Sequence, residues 1–380
     1  MKIIIACDSF KGSLSAVQVC ESIERGVKKA DPGIHTVNIP VSDGGEGLVE
    51  VMAAAADGSL VKERVKDPLG REIEAEYALI KNGTAAVIEM AAASGLPLLT
   101  ADERDPLAVS TFGTGQLIRS ALDRDVGSII VGIGGSATVD GGTGMAAALG
   151  ALFLTESGES IEPRGETLEH ISRISMENID PRLEHVEVKV ACDVDNPLTG
   201  EQGAARVFGP QKGASPDMVG QLEKGLQNLA ERIRQDLGID IEHEPGSGAA
   251  GGLGGGLMAF AGGTLGSGID LVLDAIGFDC EAEDADLVIT GEGKIDTQTL
   301  FGKGPAGVSL RARRSGCPSI AIGGSLEGDL SGLRDRNIQA YFSMINGIMP
   351  EEEVFKSTAS MLETTAEQVI RTLILGKEMC

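Results

Sequence analysis

The chain has 380 residues, of which 42% are hydrophobic and 23% are charged, and its formal net charge is −25. This length predicts two domains, and the composition is ordinary for a soluble globular protein. Binding to nucleic acid and to anionic lipid headgroups depends on basic charge, so such an acidic surface argues against both partners.

The N-terminal segment predicts a strand, a loop and a helix. Residues 3–7 are apolar and are expected to form a buried strand, which the loop Asp8-Ser9-Phe10-Lys11-Gly12 follows. Ser15 and Gln18 form a capping box and mark the start of a helix. Asp8 and Lys11 therefore lie directly after a strand.

The same pattern is then repeated. A strand predicted over 36–41 leads into Ser42-Asp43-Gly44-Gly45-Glu46-Gly47 and a helix over 48–56. Alternating strands and helices are typical of a parallel sheet with crossover helices, and ligands of such sheets bind at the carboxyl ends of the strands. We expect Asp43 and Glu46 at the same sheet edge as the first loop.

Between residues 62 and 89 the pattern changes to short strands, predicted over 62–65, 72–79 and 85–89. The turn sequences Asp67-Pro68-Leu69-Gly70 and Lys81-Asn82-Gly83 separate them, which predicts an antiparallel meander. The change places a domain boundary near Lys62.

A glycine-rich loop follows the strand predicted over 129–133 and precedes an alanine-rich helix over 144–152. Its backbone at Gly134 and Gly135, with the hydroxyls of Ser136 and Thr138, suits an anion at a helix N-terminus. Asp140 suits either a metal or a helix cap. The alternative is a plain strand–helix turn, and the spacing alone does not decide between the two.

Two further segments lie between this loop and the C-terminal third of the chain. The strand over 186–191 ends before Asp193, Asp195 and Asn196, and the segment 208–213 contains Lys212. Single acids in such positions are usually caps, but several acid-bearing loops at strand ends favour a site. The small residues of 248–254 predict a closely packed helix rather than an anion contact.

A second glycine loop follows the buried strand predicted over 286–290. The backbone of Gly291 and Gly293 and the side chain of Lys294 suit phosphate, while Glu292 and Asp296 supply carboxylates for Mg²⁺, which usually takes one or two. The alternative is a solvated loop with an ion pair between Glu292 and Lys294. A strand over 319–322 and a helix over 351–374 complete the chain.

The chain lacks the sequence motifs of several classes of protein. The chain has no Walker A sequence and no protein-kinase signature set. The six cysteines contain no Cys-x-x-Cys pair, which argues against a zinc site or disulfide framework and favours a cytoplasmic location. The apolar run at the N-terminus is too short for a signal peptide. The uncharged stretch 245–269 is too rich in glycine for a membrane span.

Taken together, these blocks resemble the type I glycerate kinase family of bacteria. The resembling stretches, in family order, are 8–16, 42–47, 110–115, 132–142, 191–194, 208–213, 248–254 and 289–299. The resemblance implies an α/β fold with two α/β domains: a Rossmann-like parallel-sheet domain over 1–62 and 285–380, and an inserted flavodoxin-like domain over 63–284. One departure is Val139, where the family loop is expected to carry Asn. A ligand contact made by that Asn would be missing here, at a cost of about 1 kcal/mol.

The resemblance also implies transfer of the ATP γ-phosphate to D-glycerate with Mg²⁺, giving 2-phosphoglycerate or 3-phosphoglycerate. We expect the loops 134–142 and 291–294 to hold phosphates, and Lys11 to neutralise charge. Asp43 or Asp193 is the candidate general base. Metal candidates are Asp140, Glu292 and Asp296, with Asp8 as an alternative to Asp296, and further candidates for binding substrate or phosphate are Asp8, Ser9 and Lys212.

Other functions remain open from the sequence. A nicotinamide-dependent oxidoreductase of a small hydroxy acid uses similar loops, but the first strand lacks the Gly-x-Gly-x-x-Gly sequence that it needs. A solute-binding protein has two domains around a cleft but is usually exported. A kinase for another short hydroxy acid is the third alternative. The oligomeric state is undetermined, with a homodimer as one candidate.

Overall fold

The computed structural model describes residues 1–42, 44, 45, 47–56, 58–297, 299 and 304–379. Its strands are β1 (Lys2–Cys7), β2 (His35–Asn38), β3 (Ser59–Lys66), β4 (Glu72–Ile80), β5 (Ala85–Glu89), β6 (Ser128–Gly132), β7 (Leu152–Leu154), β8 (Arg173–Ser175), β9 (Glu187–Ala191), β10 (Thr264–Gly266), β11 (Leu287–Ile295), β12 (Ser319–Leu326) and β13 (Ile338–Ser343). Its helices are α1 (Ala16–Ala30), α2 (Leu48–Ala55), α3 (Ala91–Ser94), α4 (Phe112–Leu122), α5 (Thr143–Ala148), α6 (Ala204–Phe208), α7 (Pro216–Leu237), α8 (Ala249–Ala261), α9 (Gly268–Ala275), α10 (Phe278–Ala282), α11 (Pro305–Arg314) and α12 (Glu351–Glu378).

Contacts between residues divide the chain into two compact units. Unit 1 comprises Met1–Asp43, Glu50–Ala56 and Ile269–Cys380, and unit 2 comprises Gly44–Val49 and Asp57–Gly268. The predicted boundary at 62/63 falls inside β3, which pairs with β4 along its whole length and so belongs to the sheet of unit 2. The division into 1–62 with 285–380 and 63–284 stays a prediction about domains.

The sheet of unit 1 is parallel throughout. Within the described residues, five strands form it in the order β13-β12-β11-β1-β2. Numbered within the unit this order is 2-1-3-4-5, the flavodoxin-like one. The α/β class with parallel strands is therefore confirmed, but the flavodoxin-like order lies in the unit that carries the chain ends. The inserted flavodoxin-like domain expected over 63–284 stays a prediction.

Apolar strands and two long helices form the main core of unit 1. Ile3, Ile5 and Ile289 are buried in one cluster with the apolar faces of α1 and α12. The capping box predicted at the start of α1 is present, since the side chain of Ser15 accepts from the backbone N–H of Gln18. A Cβ atom on Gly26 would lie 2.1 Å from the Glu363 carbonyl oxygen, so only glycine lets α1 and α12 approach this closely.

The sheet of unit 2 is mixed. Among the residues described, six strands form it in the order β10-β9-β6-β5-β4-β3. β3, β4 and β5 pair antiparallel in succession, the arrangement predicted for this stretch, and β5, β6, β9 and β10 are parallel. The alanine-rich helix predicted over 144–152 ends at Ala148, because Gly150 takes a φ of +110° and the chain enters β7.

The uncharged stretch 245–269 contains α8, β10 and the start of α9. Over the part of the chain that the structure describes, no helix combines the length and the apolar character needed to cross a bilayer.

Candidate active site

A cavity of about 620 Å³ lies within unit 1, where β1, β11, β12 and β13 end. β1 and β11 are neighbours, and the chain continues from them toward opposite edges of the sheet. Ligands of open α/β sheets bind at such a switch in direction, outside the carboxyl ends of the strands. Small-molecule sites commonly measure about 300–1,000 Å³, so this cavity has a suitable size.

The loop after β1 forms one side of the cavity. The backbone N–H of Asp8 donates to the Gly291 carbonyl at 2.9 Å, which joins this loop to β11. The Asp8 carboxylate is largely buried and accepts from the backbone N–H of Ser9 at 2.6 Å. Lys11 is exposed at the turn of the loop and lines the cavity, as Asp8 and Ser9 do.

The end of β11 supplies Glu292, Gly293 and Lys294 to the same cavity. Glu292 accepts a hydrogen bond from the Thr299 hydroxyl at 2.6 Å. Lys294 lies 2.6 Å from the Glu327 carboxylate and 3.7 Å from that of Asp296. These carboxylates raise the pKa of the half-exposed Lys294 ammonium, with Glu327 as the main cause. The structure therefore pairs Lys294 with Glu327, not with Glu292 as the solvated-loop alternative supposed.

Close strand packing explains two of the glycines at this edge. A Cβ atom on Gly291 would lie 2.2 Å from the Ile322 carbonyl oxygen, and one on Gly324 would lie 2.3 Å from that of Gly293. Gly291 is buried and is absent from the cavity lining, whereas Gly293 lines it. Asp296 also lies outside the lining, and its backbone N–H donates to Thr299.

The glycine loop after β6 belongs to unit 2, and only its first residues are accessible. Gly134 and Gly135 are exposed, Ser136 is nearly buried, and Thr138 and Asp140 are completely buried. One Asp140 oxygen accepts from the Thr111 hydroxyl and backbone N–H, both at 2.8 Å, and the other accepts from the Gly142 N–H at 3.1 Å. Burial raises the pKa of this carboxyl. These contacts fit the helix-cap role for Asp140 and leave the metal role unsupported.

Lys212 lies beneath this loop. It is 2% exposed, and its Nζ donates to the Ser136 hydroxyl at 2.5 Å and to the Thr138 carbonyl at 2.7 Å. Burial lowers the pKa of Lys212 to about 7, with the charge of Asp140 opposing the effect. The side chain thus holds the loop from inside, while Gly134 and Gly135 face outward.

The residues of the second predicted loop lie against the same part of unit 2. A Cβ atom on Gly44 would lie 2.7 Å from the Ala191 Cβ, and one on Gly134 would lie 3.0 Å from the Gly45 Cα. Asp193, half-buried after β9, accepts from the Gly268 N–H at 3.0 Å. Asp43 and Glu46 lie outside the described residues.

The small-residue segment 248–254 packs as predicted. Residues 250–252 adopt left-handed φ and ψ angles, and the Gly251 carbonyl accepts from the Gly141 N–H at 3.0 Å. A Cβ atom on Gly251 would lie 1.9 Å from the Thr138 carbonyl oxygen. Val139 is buried in an apolar cluster on this side, so its side chain belongs to the core.

The described carboxylates form no all-protein metal cage. Throughout the described residues, no group of three or more His, Cys, Asp or Glu side chains is placed to hold a metal ion. Asp8 and Glu292 nevertheless line one cavity. The apolar side of this cavity comes from Phe10 and residues 344–355, and no motif in the sequence predicts it.

Comparison with known proteins gives matches over nearly the whole chain. Residues 3–374 match a family model described as the glycerate kinase family. Glycerate kinase of Bacillus subtilis (strain 168) is 46% identical over 379 residues, covering 100% of this chain and 99% of the relative. Glycerate 2-kinase of Escherichia coli (strain K12) is 45% identical over 376 residues, covering 99% of both chains. A crystal structure from Salmonella typhimurium LT2, described provisionally as glycerate kinase 2, matches with a TM-score of 0.92 and 46% identity, covering 100% of this chain and 99% of that one.

Proposed function

Because this chain belongs to the glycerate kinase family, we propose that it transfers the γ-phosphoryl group of ATP to a hydroxyl of D-glycerate and yields 2-phosphoglycerate. The observation that carries the proposal is the unit 1 cavity, in which Lys11 and Lys294 share a lining with Asp8 and Glu292. Phosphoryl transfer requires alignment and charge neutralisation, which such side chains provide. The comparisons give the oxidoreductase alternative no support.

Lys11 is the proposed cation that neutralises charge on the transferring group or on the substrate carboxylate. It is exposed within the cavity, and its loop is fixed to β11 by the Asp8–Gly291 hydrogen bond. Glu327 and Asp296 partly neutralise the charge of Lys294, so Lys294 is a weaker phosphate ligand than Lys11.

Asp8 and Glu292 fit a magnesium ion that travels with the nucleotide. Mg²⁺ usually takes one or two carboxylates and completes its shell with phosphate oxygens and waters, so a larger acidic cluster is not needed. When bound, the ion would neutralise charge on the phosphate oxygens. Asp296 is the less suitable candidate, since it lies outside the cavity lining.

In unit 2, the exposed backbone of Gly134 and Gly135 is the proposed anion contact, with Ser136 at its buried edge. Lys212 acts on this contact through Ser136 and the Thr138 carbonyl. Asp193 or Asp43 is proposed to orient the glycerate hydroxyl and accept its proton. Asp193 is only half-buried, so a substrate hydroxyl can reach its carboxylate, as general-base catalysis requires.

A cytoplasmic location and a homodimeric assembly remain proposals. In the described part of the chain, Cys7, Cys20, Cys192, Cys280 and Cys317 form no disulfide, which suits a reducing compartment.

A coupled assay of ADP release tests the function. We expect turnover with D-glycerate, slower turnover with other short hydroxy acids, and almost none without an acceptor. Phosphorus NMR of the product then distinguishes 2-phosphoglycerate from 3-phosphoglycerate. A preference for another hydroxy acid would replace the acceptor in the proposal, and NADH oxidation without ADP release would overturn it.

A further inference from the structure

The unit 1 cavity has an apolar side that glycerate cannot use. The side chains that form it are named here the apolar wall: Phe10, Met344, Ile345, Met349, Val354 and Phe355. Glycerate is a three-carbon acid with two hydroxyls, and it gains nothing from contact with such a surface. A nucleobase has an apolar face and gains free energy when that face is removed from water.

The wall is a continuation of the core of unit 1. Phe10 and Met344 are buried in the cluster between the sheet, α1 and α12, and Ile345, Met349 and Val354 pack against that cluster. Its shape is therefore set by the folded core. Phe355 differs from them, because it stands at the start of α12 with 45% of its surface exposed.

Hydrogen bonds join the wall to the loop that carries Lys11. The Ser13 hydroxyl donates to the Thr358 hydroxyl at 2.7 Å and contacts the Phe355 carbonyl at 3.2 Å. Ser13 follows Lys11 by two residues, so the start of α12 and the Lys11 turn form one connected structure. The Thr358 hydroxyl in turn donates to the Val354 carbonyl at 2.8 Å.

Most charged groups of the cavity, namely Asp8, Lys11, Glu292 and Lys294, lie at the strand ends, and Glu351 lies apart from them at the start of α12. Lys294 pairs in register with Ser325 of β12, and Asp8 is bonded to Gly291. A ligand with an apolar ring at one end and several negative charges at the other matches this division. ATP has that form, whereas inorganic phosphates and short hydroxy acids have no ring.

We propose that the apolar wall is the nucleobase subsite of this chain, and that Phe355 sets the affinity for the base. The proposal deepens the proposed kinase function and rests on it. The base lies against the wall, and the phosphate chain runs toward Lys11 and the end of β11. D-Glycerate has no contact with Phe355 in this arrangement.

The test compares Phe355→Ala with Leu373→Ala. Leu373 lies on the same helix, is 43% exposed and does not line the cavity, so it is a matched control. Binding of ATP and of inorganic tripolyphosphate is measured by isothermal titration calorimetry, and steady-state kinetics give the KM of each substrate. Circular dichroism and thermal unfolding check that both variants fold.

We expect Phe355→Ala to weaken ATP binding about tenfold, because half an aromatic ring of contact is lost. Tripolyphosphate binding and the KM for D-glycerate should stay within twofold of the parent, as should every constant of Leu373→Ala. Three results for Phe355→Ala would each overturn the subsite: an unchanged affinity for ATP, a loss of affinity for tripolyphosphate equal to that for ATP, or a raised KM for D-glycerate alone. ATP binding that depends on Phe355 in a protein without glycerate turnover would support the subsite and overturn the proposed acceptor.

Discussion

Replacing Lys212 with methionine has two opposing effects on the free energy of unfolding. It removes the cost of burying an ammonium group, and it removes the hydrogen bonds that this group donates. Burial lowers its pKa from 10.5 to about 7. One pH unit corresponds to about 1.4 kcal/mol, so this burial costs the folded state on the order of 4 kcal/mol at pH 7. Methionine removes that cost. It also leaves the Ser136 hydroxyl and the Thr138 carbonyl without their donor, at about 1–3 kcal/mol each.

The two terms nearly cancel, so we expect Lys212→Met to change the free energy of unfolding by less than about 2 kcal/mol. Activity should change more, because the exposed residues Gly134 and Gly135 lose their support from inside. Small misplacements at a reacting centre reduce rates by up to about 100-fold, and we expect kcat/KM to fall at least about tenfold. ADP-release kinetics and urea unfolding measure the two quantities separately.

The pH dependence of stability provides an independent check. The unfolded chain keeps the Lys212 proton up to about pH 10.5, whereas the folded chain releases it near pH 7. The unfolded state therefore binds more protons between these values, and this group makes stability rise with pH across that window. In Lys212→Met this rise in the free energy of unfolding with pH should be absent. Urea unfolding of both proteins at pH 6, 7, 8 and 9 measures it. Equal slopes for both proteins, or kcat/KM within twofold of the parent, would refute the reasoning.

Three further predictions concern other parts of the chain. Gly26→Ala should destabilise the protein by about 1–3 kcal/mol in urea unfolding, because the new Cβ meets the Glu363 carbonyl. Gly220→Ala, on α7 with nothing within 4 Å, should be neutral or stabilising by about 0.5–1 kcal/mol, and a loss equal to that of Gly26→Ala would contradict the packing argument. Of Asp43→Asn and Asp193→Asn, one should lower kcat by at least about tenfold with little change in either KM, and the base assignment fails if neither does. Lys11→Met should lower kcat/KM for ATP more than Lys294→Met, because Glu327 already neutralises Lys294; the reverse order would exchange their roles.

Local patterns in the sequence predict the local structure well. The capping box at Ser15 and Gln18, the meander of β3 to β5, and the strand-to-helix glycine loop all depend on residues a few positions apart. The close packing of segment 248–254 follows from side-chain size alone. These features need no knowledge of distant contacts.

Roles that depend on distant partners were not predictable. Lys212 reaches Ser136 across 76 positions, and its burial turns a candidate phosphate ligand into a support for the loop. Asp140 is satisfied by Thr111, which lies in a separate segment. Lys294 pairs with Glu327, which directly follows the later strand β12, although Glu292 is closer in sequence. The apolar wall combines Phe10 with residues 344–355, and no pattern in the sequence joins them.

The position of β1 between β2 and β11 also sets the order of events during synthesis. β1 pairs with β2 on one side and on the other with β11, which the ribosome makes about 280 residues later. The first strand of the nascent chain must therefore remain without that partner until translation is nearly complete. Residues 57–268, by contrast, contain all the strands of their own sheet. A chain stalled before residue 287 can complete that sheet, but it leaves the apolar strand Lys2–Cys7 exposed to chaperones and to aggregation.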